Sequence, residues 1–263
     1  MTKSEGPDSP TDELEASRMP LMAHLVELRT RLVRALAALL AGTAVVYGFR
    51  DHVRAWLVAP FDGALAALEK DGGLSLVSSP FEGFYADLFI ILGGGLAVAI
   101  PVIAYQVWLF VAPGLYQSER KIVLPLSMTS SVLFLSGGLF CYYQILPYAF
   151  LFFLGFGDLN VSLSIISYLG AVLRMMIAFG LCFQFPVVVY FLARVGVIDH
   201  HDMKGAFRYA VIGCFVVSAL ITPPDPLTQI LLGIPLVLLY GVGIVVSWAV
   251  STKERAPETT AVT

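Results

Sequence analysis

The side chains of this 263-residue chain that could do acid–base, nucleophilic or metal chemistry are few, and their spacing argues against all three. His24, His52, His200 and His201 fall in tails or loops between apolar runs. The sequence therefore offers no HExxH helix and no base for a membrane-embedded serine nucleophile. Cys141, Cys182 and Cys214 lie inside apolar runs, form neither a CxxC nor a zinc spacing, and read as small apolar filler. What remains is a set of polar groups at the ends of apolar runs. Glu27 and Arg31 are an i,i+4 pair in the favourable order. Ser118 suits an N-cap and Glu119 the first turn that follows it. Ser79-Pro80-Phe81-Glu82 is a capping box, and Asp225 in Thr222-Pro223-Pro224-Asp225-Pro226 can cap the last helix. Gln184, in Phe183-Gln184-Phe185-Pro186, is the deep polar exception, an amide able to bond a neighbouring helix or the backbone freed by Pro186. No catalytic residue, metal ligand set or cofactor site is expected.

The elements that must position these groups are membrane helices. Only 13% of residues are charged, 58% are apolar and the mean hydropathy is +0.82. An ordinary soluble domain carries about 25% charge. A formal net charge of -3 excludes a nucleic-acid binder, which needs a basic excess. Crossing about 30 Å of hydrocarbon takes roughly 20 apolar residues. The uncharged runs give six spans at about 32–49, 84–110, 122–146, 169–192, 209–222 and 227–248, with Pro147 ending the third and 147–168 forming an aromatic interfacial segment. The fifth is short, and the prolines after Thr222 make the fifth and sixth an antiparallel hairpin. Twelve Lys and Arg fall on the side of the termini and three on the other, with Arg174 just inside span four. Both termini are thus predicted to be cytoplasmic. Residues 1–18 and 251–263 read as polar tails around a membrane domain over 19–250, the first of them disordered. Gly93-Gly94-Gly95, Gly137-Gly138 and Pro101, Pro125, Pro186 and Pro235 predict kinked, closely packed helices. The expected fold is an all-α integral membrane protein, six kinked transmembrane helices forming a cupped scaffold.

Four ordered motifs carry a family resemblance. His24-Leu25-x-Glu27-Leu28-Arg29-x-Arg31-Leu32 sits on an amphipathic helix whose Leu21, Leu25, Leu28 and Leu32 share a face, with Pro20 suited to its first turn. Ser79-Pro80-Phe81 opens span two. Pro101-x-Ile103-x-Tyr105-Gln106-x-Trp108-x-Phe110 is followed by Pro113-x-Leu115-Tyr116-x-x-Glu119-Arg120, and Thr222-Pro223-Pro224-Asp225 precedes the last span. Together, over about 20–245, these resemble TatC, the large subunit of the twin-arginine protein translocase. The resemblance implies a receptor in the cytoplasmic (inner) membrane of a bacterium that binds twin-arginine signal peptides of folded precursor proteins. It also implies single-span Tat partners, further copies of the chain in a receptor complex, and use of the proton-motive force. On the matching positions, Glu27 and Glu119 receive the paired arginines, with Arg29 and Phe110 beside them. Gln184 faces a membrane-embedded concavity; Pro60, Thr222 and Asp225 are partner-docking or structural positions. This sequence departs from the family pattern at Ala23 and Gly241, where an acidic residue is common, and at Gln184, a Glu in some relatives.

Elementary chemistry agrees with that implication. Arg keeps its charge and presents a planar fork to a carboxylate, so two cytoplasmic carboxylates can read two adjacent arginines where Lys would fit less well. The rival readings lack their signatures: a solute transporter would show intramembrane ionisable sites and inverted repeats, and a membrane enzyme a nucleophile–base pair. A scaffold without a recognition function differs from the favoured reading only by the cytoplasmic acidic pair.

Overall fold

The apolar runs fold as helices in the computed structural model, which describes residues 10–68, 72–75, 81–111, 122–155, 161–221 and 226–254. Helix α1 (Pro10–Tyr47) is followed by α2 (Arg50–Ala67), α3 (Glu82–Val111) and α4 (Val123–Phe140). A π-helical turn (Cys141–Ile145) joins α4 to α5 (Leu146–Gly155); α6 (Ile165–Cys182) and α7 (Phe185–Arg194) come next. The chain closes with α8 (His200–Gly205), α9 (Phe207–Ile221) and α10 (Pro226–Glu254). Five stretches are long and apolar enough to cross a bilayer: His24–Tyr47, Glu82–Val111, Val123–Gly155, Ile165–Arg194 and Thr228–Ser251. The sixth, α9, is shorter, about 22 Å at 1.5 Å per residue. Two four-residue strands, β1 (Gly72–Ser75) and β2 (Val161–Ser164), pair in parallel and tie the α2–α3 connection to the α5–α6 connection.

Glycine sets how closely the helices approach. A Cβ on Gly42 of α1 would stand 2.5 Å from the Gly95 carbonyl oxygen, and one on Gly95 would stand 2.8 Å from Thr43 Cα. The α1 and α3 backbones are therefore in contact, which the predicted Gly93-Gly94-Gly95 cluster permits. A Cβ on Gly137 would likewise meet the Phe179 carbonyl oxygen at 2.8 Å, bringing α4 against α6. Between these helices lies the main core, which includes Ile90, Leu146, Leu169, Val172, Phe179 and Leu232.

Three local outcomes differ from the sequence analysis. Helix α1 starts at Pro10, so it takes in residues 10–18 and carries Pro20 in its interior. The Asp12-Glu13-Leu14-Glu15-Ala16 stretch combines good helix formers with acidic groups near a helix N-terminus. Pro147 does not end the third span: the helix runs on to Gly155. The π turn just before it shifts the bonding, with Leu146 N–H donating to Cys141 O, and so absorbs the proline's missing donor. Helix α2 has no counterpart in the sequence analysis, although its buried Leu57, Phe61, Ala64 and Leu65 follow an i, i+4, i+7, i+8 pattern.

Pro60 lies inside α2 and cannot donate to the carbonyl of Trp56, four residues back. The Tyr142 hydroxyl, from the π turn, donates to that Trp56 oxygen, and the Trp56 and Tyr142 rings stack with centroids 3.9 Å apart. Tyr168 of α6 donates to Leu57 O at 2.7 Å. The proline thus opens the α2 backbone to bonds from the two elements it packs on.

Candidate functional site

At the end of the bundle where α1 carries Glu27, the first half of α1 meets the last turns of α3. The His24 and Phe110 rings stack with centroids 4.4 Å apart and 22° between planes. Arg31 Nη2 donates to Glu27 Oε1 at 3.0 Å, and its Nη1 donates to Gln106 Oε1 of α3 at 3.5 Å. The Glu27 side chain stays 34% exposed. Arg29 is exposed on the adjoining face of α1. Of the predicted site residues, Glu27, Arg29 and Phe110 are therefore gathered at one helix-end patch.

Glu119, Thr222 and Asp225 lie outside the described residues, as do Ser79, Pro80 and Ser118. The helix ends that flank Glu119, at Val111 and Val123, both belong to the Glu27 end of the bundle.

Behind the patch runs a chain of buried polar contacts. Trp108 is 8% exposed and packs against Val123, Leu126 and Val187. Its Nε1–H donates to Ser130 Oγ of α4 at 2.7 Å, and Ser130 is 2% exposed. The Ser130 carbonyl in turn accepts from Gln184 Nε2 at 2.9 Å. Gln184 occupies the break between α6 and α7, where Pro186 lacks an N–H and the Gln184 N–H turns to Leu181 O at 3.0 Å. Its amide spans the gap to α4, as an amide freed in an apolar medium must. Gln184 also lines a concave apolar groove of about 540 Å³ with Cys182, Phe185, Cys214, Val217 and Tyr240.

A second polar cluster lies on the same end. Asp199 caps α8, and its Oδ1 accepts from His200 N–H at 2.7 Å, His200 Nδ1–H at 2.7 Å and Ser251 Oγ at 3.0 Å. Those bonds, led by the His200 side chain, hold the Asp199 carboxyl down at about 2. The ligand atoms of Asp199, His200 and His201 come within 4.8 Å of one another, but the Asp199 oxygen is already taken by three donors. The cluster anchors α8 to the end of α10.

Gln106 and Trp108 were within reach of the sequence analysis as parts of a motif. Gln106 stands inside an uncharged run, where an amide needs a partner just as Gln184 does. Ser130 carries no such signal, because a serine in a membrane helix bonds its own backbone as readily as a neighbour.

A family of membrane translocase components matches this arrangement. The profile described as Sec-independent protein translocase protein (TatC) matches residues 23–235. A protein of that name from Magnetococcus marinus is 35% identical over 243 residues, which is 92% of this chain and 88% of the relative. One from Azotobacter chroococcum is 38% identical over 240 residues, 90% of each chain. A crystal structure of the twin-arginine translocase receptor TatC superposes with a TM-score of 0.74 at 35% identity, covering 87% of this chain and 99% of that one. The chain belongs to the TatC family. The family is one of translocase components and not of enzymes.

Proposed function

We propose that this chain is the receptor core of a twin-arginine translocase in a bacterial cytoplasmic membrane, with both termini and the Glu27 patch on the cytoplasmic side. Twelve Lys and Arg on the side of the termini against three on the other support that orientation. The six-span domain covers 19–250 between the tails 1–18 and 251–263. The observation that carries the reading is the partly exposed Glu27 on the α1 segment that the His24–Phe110 stack and the Arg31–Gln106 bond hold against the last turns of α3. Glu119, in the neighbouring α3–α4 connection, supplies the second carboxylate.

Magnitudes favour the ligand over the internal pair. The partly exposed Glu27–Arg31 pair contributes under about 1 kcal/mol. A charge-assisted bond from a peptide guanidinium contributes about 1.5–3 kcal/mol. An incoming arginine therefore shares or takes over the carboxylate while Arg31 keeps its contact with Gln106. The apolar part of the signal follows as a helix along the groove lined by Gln184, its backbone bonds satisfied internally. Single-span Tat subunits and further copies of the chain complete the complex, with Pro60, Thr222 and Asp225 as partner-docking or structural positions.

A photoreactive residue in place of Phe110 tests the site. It is expected to crosslink a twin-arginine precursor, and to lose that product when Glu27→Gln or Glu119→Gln is added or when the precursor carries twin lysines. Equal crosslinking in all of these would remove the assignment.

A further inference from the structure

Arg174 is a charge that the recognition patch does not use. Arg174 lies in α6, nine residues after Ile165 and so about 14 Å along the helix from the end opposite Glu27. Its side chain is exposed and makes no hydrogen bond or ion pair with the described residues. The buried face of α6, with Leu169, Val172, Leu173 and Phe179, points into the core. Arg174 stands on the other side, in a line with Ser167, Ala171, Ala178 and Leu181 at spacings of four, three, four and three. A guanidinium on the outer surface of a spanning helix needs an anion, since it cannot shed its charge and hydrocarbon offers it nothing.

Two further observations identify that anion. Side chains on a helix tilt toward its N-terminus. The N-terminus of α6 is the non-cytoplasmic end in the orientation proposed above, so Arg174 reaches toward the outer headgroups. The same line, half-buried at Ala178, ends at the exposed Leu181, which forms one wall of the groove whose other wall is α9, through Ala210, Gly213, Cys214 and Val217. Helix α9 is about 22 Å long beside hydrocarbon of about 30 Å. A span that short draws the lipid surface inward beside it, toward the level of Arg174. Small neighbours at Ser167, Ala171 and Ala178 leave the helix surface clear for a headgroup and its glycerol.

We infer that Arg174 is the anchor of an outer-leaflet phospholipid site, binding the phosphodiester of one lipid on the exposed α6 surface next to the groove. The site rests on the membrane orientation and is independent of signal-peptide recognition, so loss of either leaves the other standing.

Native mass spectrometry of the purified full chain, titrated with phosphatidylglycerol, tests it. The wild type is expected to retain one lipid that Arg174→Leu holds about tenfold more weakly, the worth of one charge-assisted bond. Arg174→Lys keeps most of the binding, and inorganic phosphate at the same concentration does not compete. Equal retention by wild type and Arg174→Leu, each monodisperse in detergent, overturns the site. If Arg174→Leu does not purify as a folded species, Arg174→Gln takes its place under the same criterion. A photoreactive residue at Ala171 gives a second readout in native membranes. A phospholipid adduct that falls with Arg174→Leu supports the site, whereas an adduct to protein alone would give Arg174 a carboxylate-bearing helix as its partner and overturn it.

Discussion

Replacing Ser130 by alanine isolates the polar chain behind the recognition patch. The change removes the acceptor of a 2.7 Å bond from Trp108 Nε1 while both side chains are almost wholly buried. A buried donor left without a partner costs about 1–3 kcal/mol. Interhelical bonds in membrane proteins average nearer 0.6 kcal/mol and reach about 1.7, because the dissociated helices find other partners. The Trp108–Ser130 contact should fall in the upper part of that range, since the tryptophan ring is enclosed by Val123, Leu126 and Val187 and has no lipid-facing alternative. Ser130→Ala is therefore expected to destabilise by about 1–2 kcal/mol, roughly 2–8 °C in melting temperature for a chain of this size. Trp108→Phe alone also loses ring packing against Phe191. The double variant should be less destabilised than the two singles added together, by about 1 kcal/mol. Thermal unfolding in one detergent at one scan rate measures all four proteins. Additive losses, with coupling below about 0.3 kcal/mol, would refute the bond's role in holding α3 to α4.

Other perturbations follow from the same geometry. Gln184→Glu puts a carboxylate where the amide donates to Ser130 O, and an ionised carboxylate accepts only. The variant should melt lower than wild type at pH 8 and recover toward it at pH 5, where a protonated acid can donate; identical melting at both pH values would contradict the bond. Gly95→Ala adds a Cβ 2.8 Å from Thr43 Cα, so it should cost about 1–3 kcal/mol and lower the yield of folded protein, while Gly63→Ala, with open space around it, serves as control. Asp199 is held down at about 2 against an ordinary 3.8, chiefly by the His200 side chain. A lowered carboxyl contributes stability above its unfolded value and loses it as pH falls toward the folded one. The protection of the α8 amides, after division by the intrinsic exchange rate at each pH, should therefore hold at pH 5 and fall between pH 4 and 2, and Asp199→Ala, which removes the capping oxygen, should lower it throughout.

Much of the architecture was legible in the residues, and the gaps have physical causes. The helical runs, the glycine contacts and the short fifth helix follow from hydropathy, from the absence of a side chain and from the charge at Arg208. Proline was harder to read, because its effect depends on what surrounds it. Pro147 sits behind a π turn that accommodates it, and Pro60 exposes a carbonyl that Tyr142 satisfies from a distant element. Neither arrangement has a local signature. At the site, Glu27 and Phe110 were named by motif, yet the groups that join them, His24, Arg31 and Gln106, act across an interface between helices some 75 residues apart in sequence. Single-sequence spacing reports neighbours along one helix and is silent about pairs between helices.

The central claim is that the Glu27 patch reads guanidinium groups. The most direct measurement is the affinity of the purified full chain for a twin-arginine signal peptide and for its twin-lysine counterpart, with Glu27→Gln alongside. The account requires wild type to prefer the arginine peptide by about tenfold or more and Glu27→Gln to lose most of that preference. Equal affinity for the two peptides in the wild type, or an undiminished preference in Glu27→Gln, would contradict it.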